Sequence, residues 1–329
     1  MRQSPEFRRI RSLVDAVDAP AAREVALGPG DDAAILRFDG SESLVVSTDL
    51  SVEDVHFRRE WTTWEAIGFR SIAAALSDLA AMAARPIGVL VSVAVPETDL
   101  DVGTVDEVAR GMGACLREQG ASLLGGDLSR SPGPVMISVT VIGAAANPVE
   151  RAGACPGDDL WVTGRLGGAA LAVAAWSEGR EPDADARRAF EHPRPRTGEA
   201  RCLRELADVH AMVDLSDGLA ADSEHMAAAS GVHLILEPDR VPMHSSLETW
   251  ARPEAALAIA AGGGEDYELL VALGPGTADA AARKLAVEFN VELTRIGRVA
   301  EGAGVEWAGA GGEVLDPPAS GFDHFAGEA

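Results

Sequence analysis

The 329-residue chain has little cysteine, little aromatic surface and little positive charge. Its three cysteines, Cys115, Cys155 and Cys202, are odd in number, far apart and without metal-type spacing. That excludes a disulfide framework and a zinc-ribbon arrangement, and it fits reduced thiols in a cytoplasmic protein. Lys and Arg number 28 against 52 acidic residues, a net charge of −24. A surface of that sign gains nothing from nucleic acid or anionic membranes, so neither is an expected partner. Phosphate ligands stay open, because metal ions mediate between carboxylates and phosphates. No apolar run approaches the roughly 18 residues of a membrane helix, and no charged-then-apolar signal segment opens the chain. The sequence also lacks a Ser/His/Asp or Cys/His constellation. Its Gly164-Arg-Leu-Gly-Gly168 segment lacks the lysine and hydroxyl of a P-loop. Packing and nucleotide contact are both open readings for that segment.

Alanine and glycine are abundant, and strands alternate with helices along the whole chain. Ser4-Pro5-Glu6 can start a helix through Val17, and Thr62 with Glu65 reads as a capping box for a long helix ending near Arg85-Pro86. Strands are expected at Ala33 to Phe38, Ser43 to Thr48, Ile87 to Val95, Ser122 to Leu124 and Pro134 to Ile142. In the second half they are expected at Leu160 to Thr163, Ala211 to Leu215, Val232 to Leu236, Tyr267 to Leu273 and Val291 to Val299. Around Asn147 to Asp159 the composition turns to Pro, Gly and charge, which places a domain junction there. The expectation is two α/β domains, 1–147 and 148–329.

Acidic residues stand beside glycines at the ends of apolar strands. The segments are Gly30-Asp31-Asp32, Gly125-Gly126-Asp127, Asp214-Leu215-Ser216-Asp217-Gly218 and Gly263-Gly264-Glu265-Asp266, joined by Ser47-Thr48-Asp49 and Asp78. Magnesium takes a hard oxygen shell from carboxylates, waters and phosphate oxygens, and glycine lets backbone approach a phosphate. One such pair is only a turn; six segments together point to a metal and phosphate site. Asp78 lies in Ile72-Ala-Ala-Ala-Leu-Ser-Asp-Leu-Ala-Ala-Met82, apolar on nearly every side, where an uncompensated carboxylate costs several kcal/mol. It is read as a ligand shared between ions; pairing with Arg70 or Arg85 is the structural alternative.

These segments occur in an order that resembles the thiamine-monophosphate kinases. The motifs are Gly28-Pro-Gly-Asp-Asp-Ala-Ala34, Ser47-Thr-Asp49 with His56-Phe57, Leu76-Ser-Asp-Leu-Ala-Ala-Met82 and Gly125-Gly-Asp127. Arg151 follows with Pro156-Gly157-Asp158, then Asp214-Leu-Ser-Asp-Gly-Leu219, Gly263-Gly-Glu-Asp-Tyr-Glu268 and Gly321-Phe-Asp-His-Phe325. The resemblance covers Pro5 to Phe325. It implies a two-domain α/β (α+β) fold like that of aminoimidazole-ribotide synthetase, with an N-terminal domain that dimerises and a C-terminal α/β sandwich over the nucleotide. Carried over residue by residue, Asp32, Ser47, Thr48, Asp49, Asp78, Asp127, Asp214 and Asp217 match magnesium positions. Gly126, Arg151 and Ser216 match ATP contacts, and His56 and Glu265 match contacts to thiamine monophosphate.

The implied reaction is transfer of the γ-phosphoryl group of ATP to a phosphate that is already ionised, so no general base is needed. Asp78, Asp214 and Arg151 are the residues expected to carry it, with several Mg²⁺ ions as cofactors and a homodimer as the assembly. One departure concerns the substrate rings. Where some members have a Trp before the closing motif, this chain reads Pro318-Ala319-Ser320. Ala319 cannot stack, so either Phe322 supplies the aromatic face or substrate affinity is lower. Two sisters in the superfamily fit worse: the hydrogenase-maturation carbamoyl dehydratase needs a C-terminal cysteine, and selenophosphate synthetase an N-terminal one. A non-catalytic nucleotide-binding regulator would have lost the acidic set, which is complete.

Overall fold

The computed structural model describes residues 25–27, 34–37, 40–96, 102–250, 252–318 and 320–321. The expected helix from Ser4, the turn holding Asp32, and Ala319 and Phe322 lie outside them.

Thr63 starts the helix on which the first half is built. Its hydroxyl accepts from the Ala66 N–H at 3.2 Å, and α1 (Trp64–Ala81) runs from there until Ala83 turns the chain at φ 51°. The cap is one residue later than the sequence pattern indicates, because Thr62 donates instead to Glu191, 3.0 Å away in the second half. The helix is buried almost all round, as its apolar sequence requires, because it is covered on both sides. It packs on α2 (Val102–Gln119), on β3 (Ser43–Val52) and β6 (Met136–Ala145), and on elements of the second half.

The first sheet also contains β1 (Val25–Leu27), β2 (Ala34–Arg37), β4 (Arg85–Pro96) and β5 (Ser122–Ser131), in the order β1-β2-β3-β6-β4-β5. All neighbours are antiparallel except β4 and β5, and α2 supplies the crossover that a parallel pair needs. Two strands run further than expected. Asp49 does not end β3, and β5 continues through Gly125-Gly126-Asp127 to Ser131. A bulge opposite Val89 and Leu90 takes up Leu124, so that Gly125 and Gly126 pair with Leu90 and Val91, and a Cβ on Gly126 would meet the Val91 carbonyl oxygen at 1.9 Å. One face of this sheet packs on α1. The other carries Leu50 and Leu90, with Leu123, Leu124 and Leu128 exposed along the edge strand.

The second half runs through β7 (Asp159–Thr163), α3 (Gly168–Ser177), α4 (Ala184–Glu191), α5 (Thr197–Leu206), β8 (Val209–Asp214) and α6 (Leu219–Ser230). It continues with β9 (His233–Leu236), α7 (Ser246–Trp250), α8 (Pro253–Gly262), β10 (Leu269–Leu273) and α9 (Ala278–Lys284). It closes with β11 (Leu293–Ala300), β12 (Gly304–Ala308) and β13 (Val314–Leu315). The strand order is β13-β12-β9-β11-β7-β10-β8. Every residue of β10 is buried, which explains its unbroken apolar sequence: a strand covered on both faces does not alternate. Helix α1 also touches β8, α4 and α5, so it lies between the two sheets.

Candidate active site between the two sheets

Asp214 ends β8, buried and paired with Leu269 of β10. The chain then turns through Leu215-Ser216-Asp217-Gly218 against the segment Gly263-Gly264-Glu265-Asp266. The Glu265 N–H donates to the Ser216 carbonyl at 2.8 Å, and the Tyr267 N–H to the Leu215 carbonyl at 2.9 Å. A Cβ on Gly264 would stand 2.4 Å from the Ser216 oxygen, so the two segments meet backbone to backbone only because that position is glycine. Glu265 and Tyr267 adopt φ of 70° and 51°, costly conformations for side-chain-bearing residues.

The first half brings its own acids to this turn. Strand alternation puts Ser47 and Asp49 on the face of β3 that packs on α1, and the Ser47 hydroxyl donates to Asp78 Oδ2 at 2.5 Å. Asp49 Oδ1 accepts from the Leu50 N–H at 2.7 Å. The two expected alternatives for Asp78 go elsewhere: Arg85 pairs with Glu42 at 3.4 Å and Arg70 with Glu265.

Arg70 joins the halves. It is 4 % exposed, ion-pairs with Glu265 and stacks 3.6 Å above the Phe190 ring. Burial pushes its guanidinium down to about 10, with Tyr267, Asp49 and Glu191 pulling the other way. Burial also raises the Tyr267 phenol; Arg70 opposes this, while Asp49, Asp214 and Asp217 add to it. The charge of carboxylates from both halves is therefore felt at this one phenol. Among the described residues Asp217 lies with Asp222 and His225, their ligand atoms within 4.8 Å of one another, a grouping that could hold a cation. Sequence reasoning did not single out Arg70 or Tyr267 as site residues. The available signal was a cation within an apolar helix, the counterpart of the argument made for Asp78.

The remaining expected residues are more dispersed. Thr48 lies on the open face of the first sheet, where Thr140 donates to its hydroxyl at 3.2 Å. Asp127 falls in the row of Ser92, Ser138 and Leu50, and Gly126 in the row of Val91, Val139 and Asp49. Three strand spacings separate Gly126 from Asp49, roughly 14 Å along the sheet. His56 is half-buried with its ring fixed, Nδ1 accepting from the Val52 N–H at 3.1 Å. The Arg151 carbonyl accepts from Ser230 Oγ at 3.2 Å, the same oxygen that receives the Gly153 and Ala154 N–H groups. Gly321 comes within reach of Ala221 and Asp217, so the chain arrives at the Asp214–Gly218 turn just before Phe322. At the glycine-rich start of α3, the Asp266 carboxylate takes the Gly167 N–H at 2.9 Å. The chain's own carboxyl group fills that helix end, which favours packing over nucleotide contact.

Fold and site together define a class. Residues 30–145 match the family model of the AIR synthase related protein N-terminal domain, and residues 155–308 that of the C-terminal domain. The chain is 37% identical over 295 residues to the thiamine-monophosphate kinase of Caulobacter vibrioides, covering 85% of this chain and 80% of the relative. It is 32% identical over 331 residues to that of Escherichia coli K12, covering 98% of each. Among solved structures it resembles AaThiL complexed with AMPPCP and TMP, with a TM-score of 0.81, 28% identity and 99% of each chain covered. The chain belongs to the thiamine-monophosphate kinase family.

Proposed function

We propose that the chain transfers the γ-phosphoryl group of ATP to thiamine monophosphate, giving thiamine diphosphate and ADP, the last step in making that diphosphate. The observation that carries this reading is the Ser47–Asp78 pair on the face of β3 that carries Asp49, with buried Asp214 ending β8 at the turn that meets Glu265, in a chain whose relatives bear this activity in their names. An oxygen of the acceptor phosphate forms a bond to the γ-phosphorus as the bond to the ADP oxygen breaks. The acceptor is ionised at neutral pH, so no side chain has to remove a proton.

The protein's task is placement and charge balance. Asp49, Asp78, Asp214 and Asp217, helped by Asp32, Ser47, Thr48 and Asp127, would hold several Mg²⁺ ions, which neutralise phosphate charge on both substrates. Arg151 offers a planar donor set to the nucleotide phosphates, and Gly126 and Ser216 approach ATP. His56, Glu265 and Phe322 form the thiamine side, with Arg70 holding Glu265 in place. The domain limits proposed are 1–147 and 148–329.

The open face of the first sheet supports a homodimer. Leu50, Leu90 and the edge leucines leave apolar surface bare, and a second copy laid on it would bury that surface symmetrically. No helix among the described residues is long and apolar enough to cross a membrane, and the net charge of −24 disfavours nucleic acid. The proposed setting is the cytoplasm. Phosphorus NMR of the chain with ATP, Mg²⁺ and either thiamine monophosphate or free thiamine tests the reaction. Thiamine diphosphate and ADP in equal amounts are expected from the monophosphate alone. Transfer to free thiamine, or none to either, would move the acceptor to another compound.

A further inference from the structure

Beside the Gly263–Glu268 segment, lined by its Asp266 and Glu268, lies a pocket of about 480 Å³, within the roughly 300–1,000 Å³ of small-molecule sites. None of the residues assigned above to ATP, metal or thiamine monophosphate lines it. Four arginines do, and two of them are spent. Arg196 bonds Glu268 through Nε at 2.7 Å and Glu199 at 3.1 Å, and Arg165 pairs with Glu292 at 3.2 Å. Burial lowers the Arg196 guanidinium but its two carboxylates more than reverse this, so it stays a fixed cation within that network.

Arg188 and Arg194 are different. Both are exposed, both line the pocket, and neither has a carboxylate partner among the described residues. Arg194 stands between Pro193 and Pro195, both buried, so its backbone is anchored on either side while its side chain reaches out. His244 adds a directed donor. Its Nδ1 accepts from the Ser246 N–H at 3.3 Å, which leaves the proton of the neutral ring on Nε2. Exposed His192 lies on the same wall. Of the four acidic lining residues, Glu268 and Glu292 are matched by arginines. Asp266 is driven toward its neutral form by desolvation, against the Gly167 and Gly168 N–H groups, and Asp185 alone opposes the free cations. In a chain of net charge −24, two unspent guanidinium groups lining one pocket suit an anion.

We infer that this pocket is a second binding site, distinct from the reaction centre, for a phosphate-bearing small molecule held by Arg188, Arg194 and His244. Two guanidinium forks and an imidazole donor suit a group with several charged oxygens better than a single carboxylate, which one fork satisfies. The site adjoins the reaction centre through sequence. Asp266 lines the pocket and Glu265, its neighbour, holds Arg70; Arg188 and His192 flank Phe190, on which Arg70 stacks.

Calorimetric titration of the full chain in EDTA, which removes metal-dependent binding at the reaction centre, tests the inference. Inorganic pyrophosphate, thiamine diphosphate and ADP are titrated separately, into the unaltered chain and into Arg188→Gln, Arg194→Gln and Arg151→Gln. The expected result is one site per chain for at least one probe. Affinity falls roughly tenfold with either pocket substitution and is unchanged by Arg151→Gln, as charge-assisted hydrogen bonds imply. The probe bound most tightly identifies whether the diphosphate alone, the thiamine compound or the nucleotide is recognised. Binding that survives both pocket substitutions, binding lost with Arg151→Gln, or no binding of any probe at millimolar concentration would overturn it. Both substituted arginines are exposed, and unchanged thermal melting of the two variants separates loss of binding from loss of fold.

Discussion

Alternate residues of the Gly263–Glu268 segment serve opposite ends. Glu265 and Tyr267 turn into the junction between the sheets; Asp266 and Glu268 turn back into the second half. On the inner side the charges close. Glu268 accepts from Thr163 at 2.6 Å and from Arg196 at 2.7 Å, and Arg196 is held further by Glu199. On the junction side they do not. A single buried guanidinium, Arg70, faces Glu265, and the charges of Asp49, Asp214 and Asp217 all raise the Tyr267 phenol, while the backbone holds unfavourable φ at Glu265 and Tyr267. A matched ion network fixes a fold. A strained segment with surplus acid is where a protein keeps a place for a cation and a ligand.

The contrast can be broken most severely at the acids. Asp78→Asn and Asp214→Asn are each expected to lower kcat by about a thousandfold or more, with little change in thermal melting, since they remove charge that neutralises transferring phosphate. Steady-state rates beside melting curves check this, and near-normal turnover in either variant would remove that residue from the reaction.

The next test exchanges the two sides. Glu268→Gln leaves Arg196 buried beside a neutral amide and is expected to cost stability, about 3 kcal/mol by analogy with broken buried pairs. KM for thiamine monophosphate should remain near normal in the folded enzyme. Glu265→Gln should raise that KM roughly tenfold, with a loss in melting temperature beside it because the buried Arg70 loses its carboxylate. If Glu268→Gln proved the catalytic lesion and Glu265→Gln the structural one, the assignment of sides would be inverted.

Arg70→Lys sharpens the junction side alone. Lysine keeps the charge but loses the planar stack on Phe190, so KM for thiamine monophosphate should rise several-fold, about 1 kcal/mol in binding. The smallest effect belongs to a site remote from both sides. His210 is raised above its ordinary pKa chiefly by its hydrogen bond to Asp158, at 2.9 Å. A raised histidine stabilises fully below its unfolded pKa of about 6.5 and loses that contribution as pH climbs through the folded value. Melting temperature should therefore fall slightly over that window in the unaltered chain, and His210→Asn should flatten the slope without touching kcat.

Much of this was legible from residue order. The alternation of strands and helices and the long capped helix read correctly as types, because each depends on local chemistry. Extents were less legible. Asp49 looked like the end of a strand, and Gly125-Gly126-Asp127 like a turn, because a bulge that carries a strand past two glycines is decided by the neighbouring strand. The helix α4 was missed between Pro182 and Pro193, where Asp183 caps it through its side chain. Asp78 stood out as a carboxylate among alanines, yet its partner, Ser47, is 31 residues away and no local pattern selects it. Arg70 gave the same signal as Asp78, but its role depends on Glu265, 195 residues distant, and on a ring from α4.

The central claim is that acids from two domains form one metal-held centre. Electron paramagnetic resonance of Mn²⁺ titrated into the chain with a non-hydrolysable ATP analogue measures this directly, comparing Asp49→Asn from β3 with Asp214→Asn from β8. The account predicts that either substitution removes the same bound population and that the double variant loses no more. Separate, additive losses, or full retention in both, would contradict it.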